Sequence, residues 1–400
     1  MSAGKPILTQ HHIDLVKSTV PLLEEAGTEI TEYFYRRLFR DNPEVQHIFN
    51  MSNQHSGRQQ FALFAAIAAY AKHLDTPELL LARVERIAHK HSSMNIRPEH
   101  YPIVGHHLIA TLRELLPQQF SAEIEQAWGL AYQQLADIFI AREQAIYTDN
   151  ATRPGGWQQG RRFVLAETRI ESQWVKTLVF KPVDGAAVVA YQPGQYIGIE
   201  VEPPGCEYRE IRQYSLSSAS QNDRYQISVK RERNGRPGIV SNYLHDGLHP
   251  GDEVTLYAPA GDFYLQSGEQ PLVLVAAGVG LTPMQAMLET VAASQPQRAV
   301  HYLHACHNPA QHSFRQRNHN LARDMNLSLH CWYQSEVPDQ PGCYHGYMDI
   351  SQLDSLPLDD GEFYLCGPLA FMGYAKQQLL AAGVDAERIH YEVFGPHQDL

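Results

Sequence analysis

From Asp14 to about Tyr147 the apolar residues recur at three- and four-residue spacing, and Val, Ile and Thr never dominate a run. That is the pattern of stacked amphipathic helices. Breaks fall at Gly27-Thr28, Asn42-Pro43, Thr76-Pro77, Arg97-Pro98 and Pro117, which predicts six or seven helices over residues 1–147. A polar stretch rich in turn formers, 148–156, reads as a linker. Beyond it the period shortens. Phe163–Ala166, Trp174–Phe180, Gln195–Val201, Ile211–Ser217, Tyr225–Arg231 and Glu253–Tyr257 are short runs separated by Pro, Gly or Asx residues, which predicts an antiparallel β-barrel at 157–265. From Pro271 the runs become wholly apolar (Leu272–Ala277, Val300–Ala305, Leu327–Tyr333, Phe363–Cys366) and alternate with helical stretches such as Met284–Ala293. Buried parallel strands with crossover helices, an α/β domain over 266–400, account for them.

The expected chain is therefore multidomain: all-α, then antiparallel β-barrel, then α/β. Its 400 residues fit two or three domains, and the 32 Lys plus Arg against 44 Asp plus Glu leave a net charge of −12, which disfavours nucleic acid and anionic membranes as partners. The longest nearly apolar stretch, Phe61–Ala71, is far shorter than the roughly 18 residues a membrane span needs. The opening residues lack the apolar core of a secretory signal, and five cysteines with no Cys-x-x-Cys spacing read as reduced thiols, so a cytoplasmic protein without structural zinc is expected.

Chemistry enters through stripes. Leu80, Val84, Ile87 and His91 share one helical face, so the His91 ring points into the core. Tyr101, Val104 and Leu108 form the next stripe, and Trp128, Tyr132, Leu135, Phe139, Glu143 and Ile146 the last. A carboxylate on an apolar face needs a donor, and the imidazole of His91 and the phenol of Tyr101 are at hand. Such a carboxylate orients an imidazole and makes its other nitrogen more basic, which suits a metal or haem ligand. On the opposite side Tyr35 sits beside Phe34 and Leu38, while Gln59, Leu63, Ile67 and Tyr70 form one helical face; an apolar pocket with one phenol and one amide there suits a small polarised ligand.

Two further sites follow along the chain. Arg212-Gln213-Tyr214-Ser215 places a guanidinium, a ring and a hydroxyl in an order that suits a flavin, with Tyr196 as a second aromatic and Gly238–Ser241 opening a helix toward a phosphate. Gly278-Val279-Gly280-Leu281-Thr282-Pro283 is a small-residue turn between a buried strand and a helix, where backbone N–H groups can approach a pyrophosphate. Arg315 and Arg317 are the nearest cations for a 2′-phosphate, and their distance from Leu303 favours NADH over NADPH.

These segments resemble the bacterial and fungal flavohaemoglobins. The resemblance rests on Phe34–Phe39, Ile48–Gln54, Lys90–Met94 and Arg142-Glu143 in the helical third, and continues into the ferredoxin-NADP reductase-type domains through Arg212–Ser217, Gly278–Pro283, Phe363–Pro368 and Tyr391–Pro396. It implies haem b with its iron on His91, a relay completed by Tyr101 and Glu143, and Tyr35, Gln59 and Leu63 on the distal side. It further implies FAD, NADH or NADPH, a closing Val393-Phe394-Gly395-Pro396 segment over the flavin, and redox tuning by Lys90 and Glu392. Met94 stands where the family often has an aromatic. The implied reaction converts NO and O2 to nitrate, in a protein expected to be monomeric. A haem or ferric reductase, an oxygen or NO sensor, and lipid binding on the distal side are the alternatives the residues leave open.

Overall fold

The computed structural model describes residues 7–49, 66–233 and 237–395. They form two compact units, Met1–Ala151 with Pro204–Ile211, and Thr152–Pro203 with Arg212–Leu400.

The first unit is helical. Its described elements include α1 (Gln10–Ser18), α2 (Val20–Ala26), α3 (Thr28–Asp41), α4 (66–72), α5 (Leu81–Ser92), α6 (His100–Leu115) and α7 (Ala122–Thr152). Their apolar stripes meet in a core of Val16, Leu23, Phe34, Leu38, Ala71, Leu112, Ala127 and Trp128. A smaller cluster of Ala88, Phe139 and Ile146 packs with Val84, Ile87 and Tyr101. Where α6 crosses α7, a Cβ on Gly105 would lie 2.4 Å from the Tyr132 ring. The missing side chain lets that ring in, and the Tyr132 hydroxyl donates to the carbonyl of Tyr101 at 2.7 Å.

Two boundaries differ from the sequence reading. Helix α7 runs on to Thr152, so the first half of the expected linker is helical. Asn150 is buried there and Gln144 Nε2 donates to Thr148 Oγ1, so polar residues that look like turn formers are held inside the helix. Residues 204–211, expected in the barrel, group with the helical unit, although Glu210 and Ile211 also open the barrel strand Glu210–Ser215. Within it Gln46 Nε2 donates to the Tyr208 hydroxyl and the Arg209 N–H donates to His47 Nδ1.

The second unit joins the two remaining domains. Six antiparallel strands, β1 (Arg161–Ile170), β2 (Val175–Pro182), β3 (Tyr196–Val201), β4 (Glu210–Ser215), β5 (Tyr225–Lys230) and β6 (Glu253–Ala260), lie in the order β4-β3-β6-β1-β2-β5. The two edges meet at the bridge between Leu216 and Ile227, which closes the barrel around Phe163, Leu178, Phe180, Ile197, Ile199 and Leu256. Helix α8 (Ile239–Asp246) follows β5.

A parallel sheet comes next, with β7 (Leu272–Ala277), β8 (Val300–Cys306), β9 (Leu327–Tyr333), β10 (Cys343–His345), β11 (Glu362–Cys366) and β12 (Ile389–Glu392) in the order β10-β9-β8-β7-β11-β12. Helices α9 (Leu281–Ser294) and α10 (Arg315–Asp324) cover one face, and α11 (Leu369–Ala381) the other. Every residue of β7 is buried, as its unbroken apolar run predicts. The strand order reverses beside β7, which places a ligand crevice at the carboxyl ends there.

Candidate active site

In the helical unit, α5, α6 and α7 bring His91, Tyr101 and Glu143 to one point. Glu143 is 2% exposed, and its Oε1 accepts from both partners: His91 Nδ1–H at 2.7 Å and the Tyr101 hydroxyl at 2.5 Å. A buried carboxylate with two donors on one oxygen is satisfied, and it places the imidazole proton on Nδ1. The Nε2 edge has no hydrogen-bond partner among the described residues, and the side chain is 28% exposed. This is the arrangement of a ligand imidazole aimed at a group that the protein itself does not supply, so the residues fit haem iron.

The surroundings stiffen this triad. The Phe139 ring packs 5.7 Å from His91 and stacks 6.4 Å from Tyr101. Burial, then the Glu143 charge, raises the Tyr101 phenol well above its usual range, so it stays a donor. Lys90 precedes His91 on the partly exposed side of α5 and Met94 follows in the turn, its N–H donating to the His91 carbonyl at 3.1 Å. Glu85, which takes both Arg142 and His89, clamps α5 to α7 one turn away. The sequence reading missed this clamp because its partners lie 57 residues apart.

Tyr35 is buried in an aromatic nest of Phe34, Phe39 and Phe49, at centroid distances of 5.1, 5.6 and 5.6 Å. Gln59 and Leu63 lie outside the described residues.

In the barrel, β4 presents Arg212, Gln213 and Tyr214 at partly exposed positions and ends on buried Ser215. The Leu216 N–H donates to the Gln195 carbonyl, which fixes Tyr196 on the neighbouring strand beside them. Gln213 Nε2 is a buried donor without a partner, and desolvation raises the Tyr214 phenol. An orphan amide beside a guanidinium and a half-buried ring fits the polar edge and the flat face of a flavin. The turn before α8 is held by Asn242 Nδ2, which donates to the carbonyls of Gly238 and Glu232.

The turn after β7 is as tight as its residues suggest. Gly278–Gly280 forms one 3-10 turn, Thr282 Oγ1 donates to the Val279 carbonyl at 3.1 Å, and Leu281, Thr282 and Pro283 are buried at the start of α9. A Cβ on Gly280 would sit 2.2 Å from the Cys366 carbonyl oxygen, so β7 and β11 touch at their carboxyl ends. Burial, then Glu392, pushes the Cys366 thiol well up, and Glu392 pairs with Cys366 in the sheet register. Val393 is buried and Phe394 is 46% exposed, while Pro396 lies outside the described residues.

Three family models match in the order these sites occur: Globin over residues 32–139, Oxidoreductase FAD-binding domain over 162–264 and Oxidoreductase NAD-binding domain over 274–377. A "Flavohemoprotein" of Vibrio cholerae is 55% identical over 396 residues, covering 98% of this chain and 100% of that protein. The chain belongs to the flavohemoprotein family. Solved relatives agree. A flavohemoglobin from Malassezia yamatoensis with bound FAD and heme superposes with a TM-score of 0.86 at 27% identity, covering 97% of this chain and 100% of that one. The FAD/NAD-binding domain of a nitric oxide dioxygenase from Vibrio cholerae is 53% identical with a TM-score of 0.57, covering 60% of this chain and 100% of that one. As in other flavohemoproteins, helical, barrel and α/β parts follow one another. Among the described residues no helix is long and apolar enough to cross a membrane, and all five cysteines are free.

Proposed function

We propose that this chain is an NAD(P)H-dependent nitric oxide dioxygenase that turns NO and O2 into nitrate and so removes NO. Bound haem supplies the iron at which the two gases react, and bound FAD divides the two electrons of a hydride into single transfers. The observation that carries this reading is the single buried oxygen of Glu143 that takes both His91 and Tyr101. A carboxylate accepting from Nδ1 makes the opposite nitrogen a stronger donor toward iron, and Tyr101 keeps that carboxylate in place.

The other site residues act as follows. His91 would hold the iron, and the hydroxyl of Tyr35, whose neighbouring rings exclude water, would donate with Gln59 toward a small polarised ligand. Tyr196, Arg212, Gln213, Tyr214 and Ser215 hold FAD, and the Gly278–Pro283 turn at the start of α9 receives the dinucleotide pyrophosphate. Val393, Phe394, Gly395 and Pro396 close over the flavin, and Lys90 and Glu392 place charge beside the two redox centres. The working form is a cytoplasmic monomer. A lipid chain against the Phe34, Phe39 and Phe49 wall is a second reading, supported by that aromatic nest.

The test is an optical spectrum of the purified protein, followed by NADH under air and a bolus of NO with nitrate assayed. A Soret band with flavin shoulders, reduction by NADH and nitrate equal to the NO consumed are expected. Haem reduction without nitrate would replace the dioxygenase with a reductase or a sensor, and no Soret band would refute the case for His91.

A further inference from the structure

The β9–β10 edge of the parallel sheet carries two thiols that the proposed reaction does not use. Cys331 and Cys343 are register partners on these neighbouring parallel strands, and both are free. Register partners in a parallel pair turn their side chains to the same face of the sheet. One residue on, Trp332 and Tyr344 are partners too, and their rings stack with centroids 4.8 Å apart, so side chains paired in this register meet. Those rings pack with the cluster under α11. Alternation along the strands therefore puts both thiols on the opposite face, the one that carries Leu327 and Leu329 and is covered by α10.

The approach of β10 to β9 is tight. The Cys331 N–H donates to the Gly342 carbonyl at 2.7 Å, and a Cβ on Gly342 would lie 2.3 Å from the Leu329 carbonyl oxygen. Glycine at φ +78° thus brings the chain against β9 immediately before Cys343. Neighbouring strands run about 4.8 Å apart, inside the roughly 4.4–6.8 Å between Cα atoms that a disulfide spans. Strand β10 is three residues long and lies at the sheet edge, so it is free to close the remaining gap between the Cβ atoms. The third thiol of this face does not qualify. Cys306 pairs with Tyr333, two residues beyond Cys331, which leaves the Cα atoms of Cys306 and Cys331 about 8 Å apart, more than a disulfide reaches.

The two thiols differ in access. Cys331 is 8% exposed, and burial, then the charges of Cys343 and Cys306, pushes it up to about 12. Cys343 is half-buried; burial raises it, and the Arg315 charge at the start of α10 pulls it back. The more accessible Cys343 is therefore the first to react.

We propose that Cys331 and Cys343 form a reversible disulfide, with a low-molecular-weight disulfide such as oxidised glutathione as the oxidant, and that this bond staples edge strand β10 to β9. The Cys343 thiolate attacks one sulfur of the small disulfide, whose S–S bond breaks, and the departing thiolate takes up the proton that Cys343 lost. The Cys331 thiolate then attacks the Cys343 sulfur of the mixed disulfide, and the second small thiol leaves with the Cys331 proton. Two electrons and two protons pass from the cysteine pair to the small disulfide, which ends as two thiols.

The full-length holoprotein incubated with oxidised glutathione, alkylated under denaturing conditions and mapped by mass spectrometry tests this, with hydrogen exchange followed on the reduced and oxidised forms. Cleavage at Glu336 and Asp339 separates the two cysteines unless they are bridged. The expected product has lost two of its five alkylatable thiols, yields linked peptides containing Cys331 and Cys343, and exchanges the β10 amides about tenfold more slowly or less. Dithiothreitol should restore all five thiols. Cys306→Ser should still form the bridge, and Cys343→Ser should abolish it. A bridge from Cys306 to Cys331, glutathione retained on Cys343 without an internal bond, or five thiols left unchanged would each overturn the proposal, as would a bridge that leaves β10 exchange unaltered. The wild-type map decides the matter even if a variant does not fold.

Discussion

Replacing Glu143 with Gln is the sharpest probe of the helical site, because it keeps the volume and removes the charge. Two donors converge on Glu143 Oε1, at 2.7 Å from His91 and 2.5 Å from Tyr101, and the group is 2% exposed. Hydrogen bonds to a charged acceptor contribute about 1.5–3 kcal/mol net and neutral ones about 0.5–1.5, so each bond weakens by roughly 1–1.5 kcal/mol and the pair by roughly 2–3. The part felt by the imidazole should lower the iron–histidine stretching frequency of the ferrous protein and slow NO consumption by about 10- to 100-fold. Resonance Raman spectroscopy and an NO electrode read these independently. Tyr101→Phe leaves the carboxylate with one donor and should give a smaller shift in the same direction. Because the two share an oxygen, the double variant should fall short of the sum of the single effects. An unchanged iron–histidine frequency in Glu143→Gln would refute the relay, whatever happened to the rate.

Tyr35→Phe should speed dioxygen dissociation by about tenfold, the worth of one hydroxyl hydrogen bond in a dry site, as measured by stopped-flow spectroscopy. Gly280→Ala forces a Cβ to 2.2 Å from the Cys366 carbonyl, so the turn must shift. NADH-driven flavin reduction should be lost, while haem reduced by dithionite should still bind dioxygen; retained NADH turnover would show that the turn is not the pyrophosphate site. Burial pushes the His304 imidazole down from 6.5 to about 4. The unfolded chain then binds the proton first, so stability is full above pH 6.5 and is lost as pH falls toward 4, by about 2 kcal/mol at pH 5. Urea unfolding at pH 7 and pH 5 should show a loss at least that large, since the neighbouring His312 is depressed as well, and His304→Gln should reduce it without abolishing it.

Period was the most legible property of this sequence, because period reports burial directly. The stripe from Trp128 to Ile146 predicts α7, and of its members Trp128, Phe139, Glu143 and Ile146 are buried. The unbroken run Leu272–Ala277 predicts a strand covered on both faces, and it is. Glu143 stood out because a carboxylate on an apolar stripe needs an explanation, and His91 with Tyr101 supplies it. What failed was local polarity used as a sign of irregular structure. Thr148 and Asn150 look like linker residues, yet long-helix cooperativity and burial of Asn150 keep them in α7. Strand β1 extends well beyond Phe163–Ala166, since a bulge between Leu165 and Glu167 lets its outward half remain polar while still pairing with β2. Pairings across long separations, Glu289 with Arg317 or Tyr208 with Gln46, leave no trace in spacing.

The 21 histidines show why position outweighs count in reading chemistry from sequence. His11 makes an exposed hydrogen bond with Glu123 and contributes little. His304 and His312 are buried 4.7 Å apart with both rings held neutral by desolvation, and His312 finds its partner in the Tyr333 hydroxyl at 2.6 Å, which makes them packing elements of the sheet face. His91 differs from all of these in one respect. It is oriented by a buried carboxylate on one nitrogen and left open on the other, so its environment defines the imidazole's direction without consuming its coordinating power. That asymmetry is what a ligand imidazole needs and a core histidine lacks. It also explains why only the stripe carrying an out-of-place acid two helices away could single out His91: the acid is the part of the site that packing alone would never select.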